Sequence, residues 1–392
     1  MQHFFQPLKR EPLYVQPSHS VDPFANHIVS YYDGGAFPDL EASDLVMFGI
    51  LEDRGAVGNS GCKDAARHIR HKMYSLASPV DGVAMIDLGD LIPGKELTDT
   101  YSAVTHVVSS LIGRGKTIIV LGGSQDITFA VYQAYAAIGR VINITAVDPA
   151  FDLAEGDAVN SHNYLRHIIN QQPNYLFHFT NLSYQSYFVG NAYLRLMEEL
   201  RFSAYSLAEV QQDIMTAEPL LRNADVVTVD IGCVRQSDAP ANAFPSPHGL
   251  YGEQLCQLHR FAGMSDKNSL LHISELNPVY DHDEQTAHLI SHALWFYVQG
   301  FYARMGDYPV PDSENYKTYK VQVSELDNPI CFYKSKRSDR WWMAVGCDDE
   351  EKRQLYGSQH LVPCSYRDYE RAMHDELPPL WLQYYHWLND EM

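Results

Sequence analysis

From Leu45 onward, short apolar runs alternate with amphipathic stretches almost without interruption. Brief, β-branched apolar runs read as strands buried on both faces, and stretches with apolar positions three and four apart read as helices packed along one side. On that basis LVMFGI (45–50) is a strand, EDRGAVGNSG a glycine-punctuated loop, and AARHIRHKMYSLA (65–77) a helix. A strand over 82–88, a helix over 99–112, the strand ending before Gly122 and a helix over ITFAVYQAYAA (127–137) follow. Beyond the strand before Asp148 come a helix over NYLRHIIN, a strand at 174–179, a helix through AYLRLMEEL and the strand FSAYS. The series closes with a helix over LAEVQQDIMTAEPLL (207–221), the strand before Asp230, a helix at GEQLCQLHRFAG (252–263), the strand SLLHISEL and a helix over 284–302. Such alternation predicts a parallel sheet with helices on both faces, joined by right-handed crossovers.

The ends of the chain depart from this pattern. Residues 1–44 mix Pro, aromatic and polar positions without a period, and predict an arm packed on this core or on a neighbour. The regular core spans 45–310. Past DYPVPDSENY, residues 311–392 carry β-like runs (YKVQVSEL, ICFYKSK, WWMAVG) and a Tyr/Trp-rich tail, LWLQYYHWL. The simpler reading is an appendage covering a sheet edge or a subunit interface. The sharper one is a docking surface for a protein partner, anchored by Trp341, Trp342, Trp381 and Trp387.

Composition narrows the function. With 49 acidic against 29 basic residues, the formal charge of -20 repels phosphate backbones and anionic lipid, which argues against nucleic-acid and membrane partners. Small cationic ligands suit it better. The six cysteines are scattered without a C-x-x-C, so free thiols in a reducing compartment are expected. Neither a signal peptide nor an apolar run of ~18 residues is present, and the protein is expected to be cytoplasmic.

Candidate chemistry gathers where strands end. The runs before Asp148 (with Asp152 four residues on), before Gly122-Gly123-Ser124-Gln125-Asp126 and before Asp230 each close in a turn bearing acidic residues, and open α/β sheets bind ligands at the carboxyl ends of their strands. Three carboxylates at ~4 Å repel by about 4 kcal/mol per pair at an effective dielectric near 20, so convergence demands a cation, a retained proton or a basic side chain, Arg235 being nearest in sequence to Asp230. Alternatively the aspartates cap helices separately. His288 and His292 lie one helical turn apart, but HLISH lacks the Glu of H-E-x-x-H and reads as an outer helix face.

From about Leu45 to Gln299 the chain resembles the ureohydrolases, the group of arginase, agmatinase and formimidoylglutamase. The resemblance rests on GNSGCKDAARHIR, DLGDL, LGGSQDIT, AVDPAFDL, SHNYLRHII, VVTVDIG, FPSPHGLYGE and SELNPVYDHDEQTAHL, in that order. The wording around Asp148 is most similar to the formimidoylglutamase branch. The resemblance implies a three-layer α/β/α fold on an eight-stranded, mainly parallel sheet, a homo-oligomer, and two manganese ions that lower the pKa of a shared water and aim it at a guanidinium or formimino carbon. It makes Glu275 the substrate-binding carboxylate and His162 a candidate proton shuttle.

The same comparison exposes departures. Gln125 stands where the family's first ligand histidine falls, Ala150 in place of the second, and Gly232 in place of a carboxylate. Asp148, Asp152 and Asp230, with the Gln125 carbonyl, then form an all-oxygen set for at most one hard ion, Mn, Mg or Ca. The expectation is a ureohydrolase-like pseudoenzyme with a dismantled binuclear site, serving as a ligand-binding, scaffold or regulatory protein for a small cationic or amide ligand. The alternative is a C–N hydrolase of linear amidines, formimidoylglutamase- or agmatinase-like, with one ion or an atypical one. A residue outside the motifs, such as His248, is the candidate replacement donor.

Overall fold

The computed structural model describes residues 1–11, 22–309, 313–347 and 357–389. Chain order gives strands β1 (Phe5–Gln6), β2 (Ile28–Ser30), β3 (Leu45–Ile50), β4 (Met85–Leu91), β5 (Thr117–Leu121), β6 (Ile142–Val147), β7 (Leu176–Tyr184), β8 (Ser203–Ser206), β9 (Val226–Asp230) and β10 (Leu270–Ser274). The helices between them are α1 (Ala65–Met73), α2 (Leu97–Gly113), α3 (Ile127–Ala137), α4 (Tyr164–Asn170), α5 (Asn191–Glu199), α6 (Leu207–Gln212), α7 (Ala217–Arg222), α8 (Gly252–Gly263) and α9 (Gln285–Tyr302). Strands β11 (Tyr316–Val321), β12 (Ile330–Ser335), β13 (Trp341–Ala344) and β14 (Leu361–Cys364) follow, then helices α10 (Tyr366–Met373) and α11 (Pro379–Asn389).

The large sheet runs β1-β4-β3-β5-β10-β9-β6-β7-β8, with β2 also on β4. From β4 to β8 every pairing is parallel, which gives the eight-stranded core. The arm joins that sheet at its β4 edge, β1 antiparallel and β2 parallel. It therefore completes this domain's own edge.

Period-two alternation sorts the strand side chains into two cores. Leu45, Met47, Ile119, Leu121, Val227 and Val229 pack with α1, α8 and α9. Their neighbours Val46, Phe48, Ile118, Val120 and Ile144 pack with α2, α3 and α4. A strand buried on both faces needs apolar residues at every position, and the continuous runs in the sequence reflect that requirement.

The appendage is an antiparallel sheet, β11-β12-β13-β14, closed by α10 and α11. Its own core takes in Phe177 from β7. Arg222, at the end of α7, donates to the carbonyls of Trp341 (2.9 Å) and Cys364 (3.0 Å) and lies over the Trp342 ring. Trp342 and Trp381 are buried, so these two aromatics fill a core instead of presenting an exposed anchor.

Several predicted elements shift: the strand expected over 82–88 runs Met85–Leu91, and that expected at 174–179 runs Leu176–Tyr184. The single helix over 207–221 is broken at Asp213, whose side chain accepts from Met215 N and starts a separate short turn. The first appendage strand lies at Tyr316–Val321, N-terminal to most of the YKVQVSEL run. Among the described residues no helix is long and apolar enough to cross a membrane.

Candidate functional site

Register puts the acidic residues at one level. Val229 stands opposite both Val147 and Ile273, and Asp230 opposite Ser274, so Asp148, Asp230 and Glu275 leave the sheet side by side at the carboxyl ends of β6, β9 and β10. The adjoining strand β5 ends in Gly122-Gly123, both with positive φ. A Cβ on Gly123 would come within 3.0 Å of Ile50, so only glycine lets this turn pass beneath the site.

Asp148 and Asp230 are each held by local backbone, and Glu275 by groups distant in sequence. Asp148 Oδ1 accepts from Ala150 N at 2.7 Å, and Asp230 Oδ1 from Gly232 N at 2.6 Å. Glu275, in the left-handed region at φ 63, accepts from Gln125 N (2.8 Å) and from the Asn59 side chain (2.7 Å). Asp152 also has positive φ (51), and its Oδ2 is buried without a protein hydrogen-bond partner. Strained backbone at two acidic residues of one crevice is the kind of local cost that accumulates at binding sites.

These carboxyls resist ionisation. Burial pushes Asp148 up to about 7. Burial, with the Asp148 charge beside it, lifts Asp230 to about 8. Glu275 rises to about 8 through burial and the nearby Asp230. Asp152 is raised well above the carboxylate range by burial and then by Asp148 and Asp230. Together they line a cavity of about 400 Å3 walled by Phe151, Leu153 and Val189. A larger groove of about 1020 Å3 between the arm and α1 contains none of the carboxylates Asp148, Asp152, Asp230 or Glu275, which line the smaller cavity instead.

Arg235 does not neutralise the cluster. Its guanidinium pairs with Asp238 at 2.9 Å and stacks 4.1 Å over Tyr251. Gln125 is buried and is not part of the cavity lining, and its carbonyl accepts from the Ser274 hydroxyl. His162 lines the cavity with part of its surface open to solvent, and the partial loss of solvent around its ring lowers its pKa. His248 lies outside the lining; its carbonyl accepts from Gln185 at 3.3 Å. His288 and His292 face each other on α9, with ring centroids 4.6 Å apart, also away from the cavity. All six cysteines are free.

A pair of metal ions does not fit the side chains present. The side chains of Ala150 and Gly232 have no donor atoms, no imidazole stands at the strand ends in their place, and Gln125 lies outside the cavity lining. Among the described residues no three His, Cys, Asp or Glu side chains form a group able to hold a metal ion. Sequence reasoning missed Asn59, Ser274, Asn242 and the aromatic mouth, Phe188 and Phe244. Asn59 lies in the quoted GNSG motif, but its partner Glu275 is 216 residues away and no local signal pairs them.

A doubly covered parallel sheet with an acidic crevice at its carboxyl ends defines an α/β protein of the strand-end binding class. The Arginase family model matches residues 43–298, and the chain belongs to the arginase family. A formimidoylglutamase of Staphylococcus aureus is 24% identical over 273 residues, spanning 66% of this chain and 86% of that protein. Among solved structures, the formimidoylglutamase of Bacillus subtilis superposes with a TM-score of 0.66 at 17% identity, over 75% of this chain and 96% of that one. A Trypanosoma cruzi formiminoglutamase with Mn2+2 gives 0.63 at 20% identity, over 68% of this chain and 96% of that one. The structural likenesses establish the fold.

Proposed function

We propose that this arginase-family chain binds a small molecule bearing an amidinium, formimino or guanidinium cation, without two-metal hydrolysis. One observation carries the reading: four carboxyls, Asp148 and Glu275 buried and Asp152 and Asp230 half-buried, line one cavity, and the basic side chain nearest in sequence to Asp230 is turned away. A planar cation with several N–H donors satisfies such a cluster, because it brings charge and hydrogen bonds together.

A second reading has its own support. The relatives are formimidoylglutamases, matched over most of their length, and Asp148, Asp152, Asp230 and Glu275 all stand at positions that the family resemblance makes functional. That favours a linear-amidine C–N hydrolase working with one ion or an atypical one.

Metal analysis and an amidine-hydrolysis assay on the purified full chain separate the two. The binding reading expects at most one ion per chain and no turnover with added Mn2+. Chelator-sensitive release of ammonia or formamide from N-formimidoyl-L-glutamate would establish the second. The combined variant Gln125→His, Ala150→His, Gly232→Asp is expected to take up two Mn2+ per chain. Gly232 has ordinary φ, and a Cβ there would press on Asp230 Oδ1 at 3.0 Å, a contact that a small adjustment absorbs.

A further inference from the structure

We propose that the ligand of this cavity is a monocation whose remaining part is uncharged and apolar, and that the pocket selects against ligands carrying carboxylates. The inference rests on the cation-binding reading above and specifies the far end of the molecule. The floor is acidic, as described. The walls are apolar, and the mouth is flanked by Phe188 (54% exposed), Phe244 (66%) and Val57 (40%). Phe244 is seated by a glycine: Gly58 has φ +78, and a Cβ there would meet the ring at 2.7 Å. The loop that supplies Asn59 thus also seats one of the two aromatics at the mouth, Phe244.

The polar groups of the lining other than the four carboxyls are neutral or nearly so. Asn59 is committed to Glu275, and Asn242 and Ser161 are uncharged. Among the described residues no Lys or Arg lines the cavity, and the one basic group, His162, has its pKa lowered by burial and is neutral near pH 7. A ligand such as N-formimidoyl-L-glutamate would seat its formimino cation on the floor and bring two carboxylates into a pocket that offers them no fixed positive charge. Those anions lie within a Debye length of the floor, whose carboxyls are drawn into their charged form by the bound cation, and no cationic side chain of the lining offsets the repulsion. An alkyl tail in the same place buries methylenes against Phe188, Phe244 and Val57 and meets no such opposition. Desolvating an unpaired charge is the stronger source of discrimination.

The test is calorimetric binding to the full chain at one pH and ionic strength, using methylguanidine, n-butylguanidine and N-formimidoyl-L-glutamate. n-Butylguanidine is expected to bind at least about tenfold more tightly than N-formimidoyl-L-glutamate. Equal or reversed ranking overturns the proposal while leaving the cation reading intact, provided methylguanidine binds. Failure of methylguanidine to bind removes the cation reading, and this inference falls with it. As a gain of function, Phe244→Arg is expected to raise affinity for N-formimidoyl-L-glutamate about tenfold and to lower that for n-butylguanidine. Val57→Lys, at a second exposed rim position, gives the same readout should the first variant misfold. No change for N-formimidoyl-L-glutamate in a folded variant overturns the proposal.

Discussion

At the scale of single residues, the crevice stores repulsion that its hydrogen bonds do not remove. Asp230 shows the balance. Its folded pKa, about 8, lies far above the ~3.9 of an unfolded aspartate. A group raised in this way contributes stability that is complete below about pH 4 and is lost as pH rises towards 8, because only the unfolded chain ionises freely. Protons in the cluster are shared among neighbouring carboxyls, so the effect belongs to the group as a whole. Asp230→Asn keeps an oxygen for Gly232 N and does not ionise. It is expected to be more stable than the wild type at pH 8 by ~1–3 kcal/mol, with the difference shrinking as pH falls. Urea unfolding of chelator-treated protein at pH 8 and pH 5 measures this. A variant less stable than wild type at pH 8 would mean that a tightly held cation already compensates Asp230.

At the scale of elements, legibility tracked how much of an element's stability is local. Strand β3 and helices α3 and α8 match the apolar pattern residue for residue, because a doubly buried strand or an amphipathic helix writes its burial directly into sequence. Strand β14 was missed because Pro363 interrupts LVPC, and such a strand is tolerated only at a sheet edge, where β14 lies. The site was half legible. Aspartates at strand ends follow from the pattern, and the absent donors from family resemblance. The left-handed Glu275 and the capture of Gln125 by Ser274 depend on residues distant in sequence, and no window contains them. The joint between core and appendage was equally unreadable. Arg222, 4% exposed, bonds two appendage carbonyls, pairs with Glu218 at 2.9 Å and lies 4.4 Å from the Trp342 centroid. Arg222→Ala strands those buried acceptors and is expected to cost ~3 kcal/mol. Arg222→Lys should recover only part, since one ammonium cannot reproduce the planar fork. Denaturant midpoints test this, and a loss below ~1 kcal/mol for the alanine variant would show that the joint is held elsewhere.

At the scale of the whole molecule, the appendage and the binding cavity occupy opposite ends of the same strands. The cavity opens at the carboxyl ends of β6, β9 and β10. The appendage grips the amino-terminal side: Asn143, early in β6, and Lys267, before β10, bond Gln359 (3.1 and 2.7 Å), and Asn223, before β9, meets the Tyr384 hydroxyl at 2.6 Å. Phe177, early in β7, packs against Trp387 at 4.3 Å between ring centroids. One possibility open from sequence, an assembly component, would leave the core folded when residues 311–392 are deleted. The packing favours the covering role instead, because deletion would uncover Phe177 and leave Arg222 and Asn223 without their appendage partners. A chain ending at residue 310 is therefore expected to melt at least about 10 °C below the full chain or to aggregate on expression. Four of the five tryptophans lie past that point, so Trp295 fluorescence alone reports the truncated core, alongside circular dichroism. Any soluble, folded fraction should still bind n-butylguanidine, because the truncation reaches none of the residues lining the cavity. An unchanged melting temperature after truncation would restore the appendage to the status of a separable module, free to serve a partner instead of the sheet beneath it.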